Sequence, residues 1–450
     1  MAIPQAVEPF YRQLGVDRPV PLYRGPITAT HGQQVTSARA VIRADLRAGF
    51  DVSATYFTPV DLGSPGDPFR FHRLPDISLD AHPRAVPRPT TIPRLRPPTA
   101  AHSEHKRRAG NLIWHSDGQV SRVVAHIVNF PDAPTGRPVR YPDGSGADRI
   151  YAVAGDWAVT IDAHADGRRL TDQLTEGGGF LLTHVVAVER EDGRSFDFAE
   201  SSHVLEALTM FLWFVAGRRV TPILPVGFAT DGTPVAADWG ERAVDRWRPA
   251  VSWIDPVHGG ADVEHLLPLW LACWEDPHWR EVLTLTAHYY VSANHPNPVQ
   301  AAIALAQIPL ELLCWTVAFP LRYWPDEDAY RTDTAAARLR KLLARLGIAT
   351  AIPPHLTRLA DLANRDGRGW DGPAAFTGTR NQIIHPTRPS SKRVDFQTDI
   401  EAWRLGVMYV ELAVLSMLGY AGRYLARTGE QQAGAGVQVP WPASQGRRWT

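Results

Sequence analysis

The chain has 450 residues, 44% of them hydrophobic and 21% charged, and its formal net charge is zero. This length predicts two or three domains with apolar cores of their own. The balanced charge excludes binding to nucleic acid through bulk charge, so such a partner would require a local basic patch. The only two cysteines form no CxxC pair, which argues against a disulfide framework and a cysteine zinc site. No secretory signal pattern or run of about 18 apolar residues is seen, so we expect a cytoplasmic protein.

Residues 1–258 are predicted to form a β-rich N-terminal domain. Short apolar runs alternate with clusters of Gly, Asp and Pro, as hairpins require. Trp157, Val159 and Ile161, for example, alternate with smaller or polar neighbours, which is the period of a half-buried strand. Strands are predicted within residues 35–57 (two strands), 119–130, 149–162, 180–190 and 220–238.

Three segments interrupt these strands. The first is an apolar helix, SSHVLEALTMFLWFVAG, which is expected to begin at a serine cap and to end at Gly217. The second is residues 82–108, whose six prolines predict an exposed Pro/Arg-rich loop or, alternatively, a basic strip that binds phosphates. The third is EGGGF at residues 176–180; no helix follows it, so we interpret it as a turn.

Residues 259–428 are predicted to form an all-helical domain. Pro298 is expected at the first position of one helix, which Pro309 should kink, and Gly347 should end another. The final helix, from about Thr398 to Arg427, is apolar on nearly all sides, so it should lie at the centre of a bundle or between two copies. Residues 429–450 are rich in Gly, Gln and Pro and are expected to be a disordered tail.

Tryptophans are frequent where the two predicted domains meet. We expect them to pack between the domains, with base stacking as the alternative. They are Trp239, Trp247, Trp253, Trp270, Trp274 and Trp279.

The segment TGTRNQIIHP, residues 377–386, carries the candidate chemistry. Arg380 and Asn381 stand near the end of the next-to-last predicted helix, which is expected to open near Gly372 and Pro373. His385 follows one turn later, and Pro386 disfavours helical geometry at His385, so the ring can leave the helix axis and face a cleft. An arginine can hold a phosphate, and an imidazole can accept or donate a proton near neutral pH.

The spacing of these residues on a helix limits how Arg380 and His385 could act on one ligand. Five residues place Arg380 and His385 about 140° apart around an ideal helix, so they do not share a face. A frayed last turn, or a groove between two copies of the helix, would bring them together. Ile383 and Ile384 are expected to anchor the turn in the core.

The segment RNQIIHP resembles the motif of the HEPN superfamily, whose ribonuclease members carry an arginine, commonly a polar residue, and a histidine near the end of a bundle helix. The resemblance covers residues 259–428 as a helical order. The β-rich half followed by such a bundle also looks like the ApeA-type anti-phage effectors. The resemblance implies an α+β multidomain protein with a HEPN-like bundle, and a homodimer that brings two motifs to one cleft.

The same resemblance implies an endoribonuclease of defence or toxin type. His385 would act as base or acid on the ribose 2′-hydroxyl or the leaving oxygen, Arg380 would stabilise the phosphate, and Asn381 would position phosphate or ribose. No metal or other cofactor is required. The N-terminal domain would sense a phage or host trigger, or restrain the bundle.

Structural explanations of the same residues stay open. Arg380 could pair with a carboxylate, and His385 could cap helix carbonyls. Glu311, in otherwise apolar sequence, could orient Arg380 or His385, or pair with another arginine, because a buried acid needs a partner. The alternatives to catalysis are a non-catalytic RNA- or nucleotide-binding module and a structural signalling dimer.

Overall fold

The computed structural model is an α+β protein, with a β-rich N-terminal region and a helical C-terminal region. It describes residues 3–31, 34–47, 51–59, 79–80, 102–108, 113–115, 119–131, 133, 135–142, 144–147, 149–164, 167–240, 242–257, 259–319, 324–367, 369–385, 395–429 and 434–442.

A five-stranded antiparallel sheet contains the first strands of the chain. The strands are β1 (Val20–His31), β2 (Gln34–Asp45), β3 (Asp51–Pro59), β4 (Leu79–Asp80) and β5 (His102–Arg108). They pair across the sheet in the order β4-β1-β2-β3-β5, so β2 and β3, the two strands predicted within residues 35–57, are neighbours.

Strand β5 corrects the prediction of a loop over residues 82–108. Residues 102–108 pair with β3 from Ser53 to Pro59. This part of the segment contains no proline, so every residue keeps the backbone N–H that a ladder needs. Residues 82–101, which hold all six prolines, lie outside the described residues.

A seven-stranded antiparallel sheet, in the order β10-β11-β12-β7-β13-β14-β6, forms the centre of the N-terminal half. The predicted strand at 149–162 is a hairpin of two strands, with Gly155 at φ 56° in its turn. The strands are β6 (Ile113–His115), β7 (Arg122–Val128), β10 (Ile150–Ala154), β11 (Trp157–Ala163), β12 (Leu182–Arg190), β13 (Pro222–Phe228) and β14 (Pro234–Asp238). A separate two-stranded ribbon joins β8 (Pro138–Tyr141) to β9 (Gly144–Ala147).

Most of the helices follow the predicted order, but those at Gly167–Gly177 and Glu327–Thr332 were not predicted from the sequence. They are α1 (Gly167–Gly177), α2 (Glu200–Ala216), α3 (Gly259–Trp274), α4 (Pro277–Asn294), α5 (Val299–Leu313), α6 (Glu327–Thr332), α7 (Ala335–Leu346), α8 (Thr357–Asn364), α9 (Gly372–Ile384) and α10 (Phe396–Met417). Gly217 ends α2 in the left-handed conformation, as expected, at φ 64°. The serine cap is wrong: Ala199 precedes the helix, and Ser201 lies in the first turn with its hydroxyl bonded to the Phe198 carbonyl.

Helix α5 begins one residue later than expected, because Pro298 is the capping residue rather than the first helical one. The α-helix changes to a π-helical segment, Cys314–Ala318, shortly after Pro309. The stretch Val299–Val317 is long and apolar enough to cross a membrane, and half of it is buried inside the protein.

Helix α10 lies at the centre of the bundle, as its apolar sequence predicts. It ends at Met417, ten residues before the predicted end, and Gly419 follows at φ 73°. The expected disorder from residue 429 is wrong for residues 434–442. There β16 (Val437–Gln438) pairs with β15 (Arg423–Tyr424), and the buried Trp441 indole donates to the Tyr420 carbonyl at 2.7 Å.

One hydrophobic core joins the sheet to the bundle. It runs from Ile127 and Val186 of the seven-stranded sheet through α2 into the helices. The Phe214 ring of α2 stacks between Trp253 and Trp270, each at 5.8 Å between ring centroids. These two tryptophans therefore pack between the halves, as the sequence predicts.

Candidate functional site

Helix α9, which carries the candidate residues, has a firmly capped start. The Asp371 carboxylate accepts the Ala374 N–H at 3.0 Å, and Pro373 occupies the first turn, where its missing N–H has no cost. The Arg340 guanidinium donates two hydrogen bonds, of 2.6 and 2.9 Å, to the same carboxylate. Burial by itself would raise the pKa of Asp371, but the hydrogen bonds from Arg340 and from the Ala374 N–H together outweigh it, so the pKa is lowered. This cap ties α9 to α7.

Close packing fixes the axis of α9. Phe376 is fully buried against α10 at Gly406, where an added Cβ would lie only 2.2 Å from the Phe376 ring. On another side Gly378 lies against Trp370, where an added Cβ would lie only 2.6 Å from the indole ring. Such close approaches leave little freedom for the helix to slide, so its last turn is held in place.

The last turn of α9 presents the predicted residues together. Arg380 is half-buried, Asn381 and His385 are exposed, and His385 is the residue at which the helix ends, with φ −122° and ψ 67°. Asn381 links the other two: its side-chain oxygen accepts from Arg380 Nη1 at 3.0 Å, and its carbonyl accepts the His385 N–H at 2.9 Å. The sequence did not predict this link.

Neither structural explanation of the pair is seen within the described part of the chain. There Arg380 has no carboxylate partner, and its Nε is buried without a hydrogen bond. The helix carbonyl of Asn381 is capped by the His385 backbone rather than by its imidazole. Residues 386–394, including Pro386, lie outside the described residues. Arg380 Nε thus has no partner within the described part of the chain, and the His385 side chain is exposed.

Only one of the two isoleucines anchors this turn. Ile383 packs against the core, whereas Ile384 is 40% exposed. The expectation that both are buried is wrong for Ile384, because consecutive residues on a helix point about 100° apart and only one can face the bundle.

Glu311 takes the second of its two predicted roles and pairs with another arginine. Its carboxylate accepts from Arg338 Nη1 at 2.8 Å and from Gln307 Nε2 at 3.1 Å. Glu311 lines a small cleft that Thr377 of α9 also lines. In the structure Glu311 contacts neither Arg380 nor His385.

No cluster of three or more His, Cys, Asp or Glu side chains with metal-binding geometry occurs among the residues that the structure describes. What the last turn of α9 offers is a guanidinium that can bind an oxyanion and an accessible imidazole that can exchange a proton.

Comparisons with known proteins match most of the chain. The model of the YopA central domain matches residues 115–250, and that of the YopA C-terminal domain matches residues 276–438, which include Arg380 and His385. The SPbeta prophage-derived uncharacterized protein YopA of Bacillus subtilis (strain 168) is 30% identical over 323 residues, covering 70% of this chain and 71% of that protein. No solved structure matches the chain. From this length of shared sequence, the chain belongs to the YopA family.

Proposed function

We propose that this protein is a metal-independent endoribonuclease of the HEPN type, acting in the cytoplasm. The observation that carries the proposal is the last turn of α9, where Asn381 connects an arginine that has no carboxylate partner among the described residues to an exposed histidine. A catalytic arginine must be free to meet a phosphate, and a catalytic imidazole must be accessible to substrate.

The proposed reaction uses the substrate's own nucleophile. One imidazole removes the proton of a ribose 2′-hydroxyl, and the 2′-oxygen forms a bond to the adjacent phosphorus. The bond from phosphorus to the 5′-oxygen breaks, and a second imidazole protonates that oxygen. The products are a 2′,3′-cyclic phosphate and a 5′-hydroxyl. Arg380 stabilises the charge on the phosphoryl oxygens, and Asn381 orients the guanidinium.

Two imidazoles at one cleft require two copies of His385, so the proposal includes a homodimer through the helical half. Exposed apolar side chains on the bundle support it. Ile308 of α5 and Trp315 of the π-helical segment are 41% and 38% exposed, although both are large and apolar. They lie on α5 and on the π-helical segment that continues it. A second copy that covered both side chains would remove their apolar surface from water.

The biological setting of the proposal is phage defence or toxin-like activity, triggered by a phage or host signal. Its support is that the Bacillus subtilis relative is described as prophage-derived. A ribonuclease that injures its own host needs restraint, and the proposal assigns this role to the N-terminal half, with the shared hydrophobic core as its support.

The test compares cleavage of end-labelled RNAs by the purified full chain and by His385→Ala and Arg380→Ala. Removing a general acid–base or an oxyanion-stabilising group should reduce the rate by about 10² to 10⁴. His295→Ala and Arg331→Ala are matched controls, because both residues are exposed in the helical half and distant in sequence from α9. EDTA should leave the rate unchanged, and a 2′-deoxy substitution at the cleaved position should abolish cleavage.

Wild-type activity in both α9 variants, or loss of activity with EDTA, would overturn the proposal. Binding of RNA without any cleavage would favour the recognition module instead. A chain that neither binds nor cleaves RNA but sediments as a dimer would favour the structural role.

A further inference from the structure

A cluster of arginines lies at one end of the seven-stranded sheet, far along the chain from α9. Three segments meet there: the glycine turn after α1, the residues after α2, and the chain after β14. Asn129 holds them together, with its side-chain nitrogen donating to the carbonyls of Gly179 and Asp245, each at 2.9 Å. Its own carbonyl accepts from Arg218 Nη2 at 2.7 Å, and the Trp247 N–H donates to Gly179 at 2.8 Å. The site is therefore built by backbone as well as side chains.

Positive charge dominates these segments. Residues 217–221 and 245–248 contain four arginines, at 218, 219, 246 and 248, and one acidic residue, Asp245. Asp245 is already engaged by Arg219, whose N–H it accepts at 3.0 Å and whose guanidinium lies 3.8 Å away. The neighbouring carboxylate of Asp17 accepts the Phe180 N–H at 2.8 Å. Neither acid bonds to Arg218 or Arg248.

The donors of the cluster lack acceptors. Arg218 is only 2% exposed, and its guanidinium lies 4.1 Å from the centre of the Trp247 ring. Four buried nitrogen atoms have no hydrogen-bond partner among the described residues: Arg218 Nε, Arg218 Nη1, Arg248 Nη2 and Trp247 Nε1. Buried donors nearly always have an acceptor in native proteins. Four such donors without one, in a single cluster, therefore indicate a site where a ligand supplies the acceptor atoms.

Electrostatics give the same indication. Burial, and after it the nearby charge of Arg248, lower the pKa of Arg218 to about 9, although the charge of Asp245 opposes both effects. A guanidinium nevertheless stays protonated at neutral pH. The site thus holds a buried cation that an anion would stabilise.

We propose that this arginine cluster binds a phosphate-type oxyanion. All the free groups are donors and three of the four are on guanidiniums, which suits a ligand with several acceptor oxygens and negative charge. Arg246 and Gly177 are exposed at the edge of the cluster, and Arg246 Nη2 donates to the Gly177 carbonyl at 3.2 Å, so the proposed site adjoins the protein surface. The site lies in the N-terminal half and is independent of the proposed nuclease.

Isothermal titration calorimetry of the full chain in phosphate-free HEPES and chloride tests this site with inorganic phosphate and with AMP. Both ligands share the phosphate chemistry, and neither contains an internucleotide bond that a ribonuclease could cleave. Saturable binding of one ligand per chain is expected. Similar affinity for the two would mean that the phosphate alone is recognised, and tighter binding of AMP would mean that the nucleoside adds contacts.

Arg248→Gln and Trp247→Phe each remove a free donor, and Arg248→Gln should weaken binding about tenfold or more. Both residues are half-buried, so these variants disturb the core less than Arg218→Gln would. Arg194→Gln is the matched control, since Arg194 is exposed and paired with Asp192 elsewhere; it should bind as the wild type does. Absence of saturable binding of both ligands to the wild type, as a water-filled site would give, overturns the proposal. Wild-type affinity in both folded variants does so as well.

Discussion

Replacement of Arg427 by methionine should destabilise the protein strongly. The Arg427 side chain is 1% exposed and that of its partner Glu411, in the middle of α10, is fully buried. One carboxylate oxygen accepts from Arg427 Nε at 3.0 Å, from Arg427 Nη2 at 2.7 Å and from the Tyr290 hydroxyl at 2.6 Å. Loss of the arginine leaves a buried carboxylate with a single neutral donor. Breaking such a pair costs about 3–5 kcal/mol of the free energy of unfolding.

The double variant separates charge from packing. Glu411→Met together with Arg427→Met removes both charges, so its cost should be well below the sum of the two single replacements. Arg331→Met is the surface control, because Arg331 is 66% exposed and paired with Glu327; its cost should be about 0–1 kcal/mol. Urea unfolding followed by tryptophan fluorescence measures all four variants. A cost below about 1 kcal/mol for Arg427→Met, or strictly additive single costs, would refute the reasoning.

Two further predictions concern stability. Burial lowers the pKa of His126 and of His184 to about 3, so between this value and about 6.5 the unfolded chain binds more protons. The free energy of unfolding should therefore fall on acidification from pH 6.5 to 5, by up to about 2.7 kcal/mol per pH unit for the two. Urea midpoints measure this, and an unchanged slope in His126→Gln would contradict it. Gly406→Ala should cost about 1–3 kcal/mol through the clash with Phe376, whereas Gly177→Ala, with open space around it, should not lower the melting temperature.

Local sequence signals predicted the bundle well. Gly347 ends α7 as expected, and α9 opens at Gly372 and ends at His385. Caps and glycines act within one helical turn, so they can be recognised in the sequence. The predicted C-terminal end of α10 was too late, because apolar residues continue after Met417, where Gly419 turns the chain away.

Long-range pairing could not be predicted in this way. Strand β5 has the sequence HSEHKRR, which shows no apolar alternation, and it becomes a strand because the edge of β3 accepts its backbone. The same limit applies to the arginine cluster. Arg218 and Arg248 are 30 residues apart in the sequence, and only the fold brings them to Trp247 and the glycine turn. In the sequence the arginines are indistinguishable from the many others.

The two proposed sites lie in different halves, yet α2 makes the halves one folding unit. Arg218 directly follows the Gly217 cap of α2, and Phe214 of the same helix lies between Trp253 and Trp270. The Trp270 indole also donates to the Ala207 carbonyl of α2 at 3.1 Å. Separation of the chain near residue 258 would expose these aromatic surfaces, so an isolated bundle is a poor measure of what the N-terminal half does. Point variants in the full chain avoid this problem, because they leave α2 packed into the core of both halves.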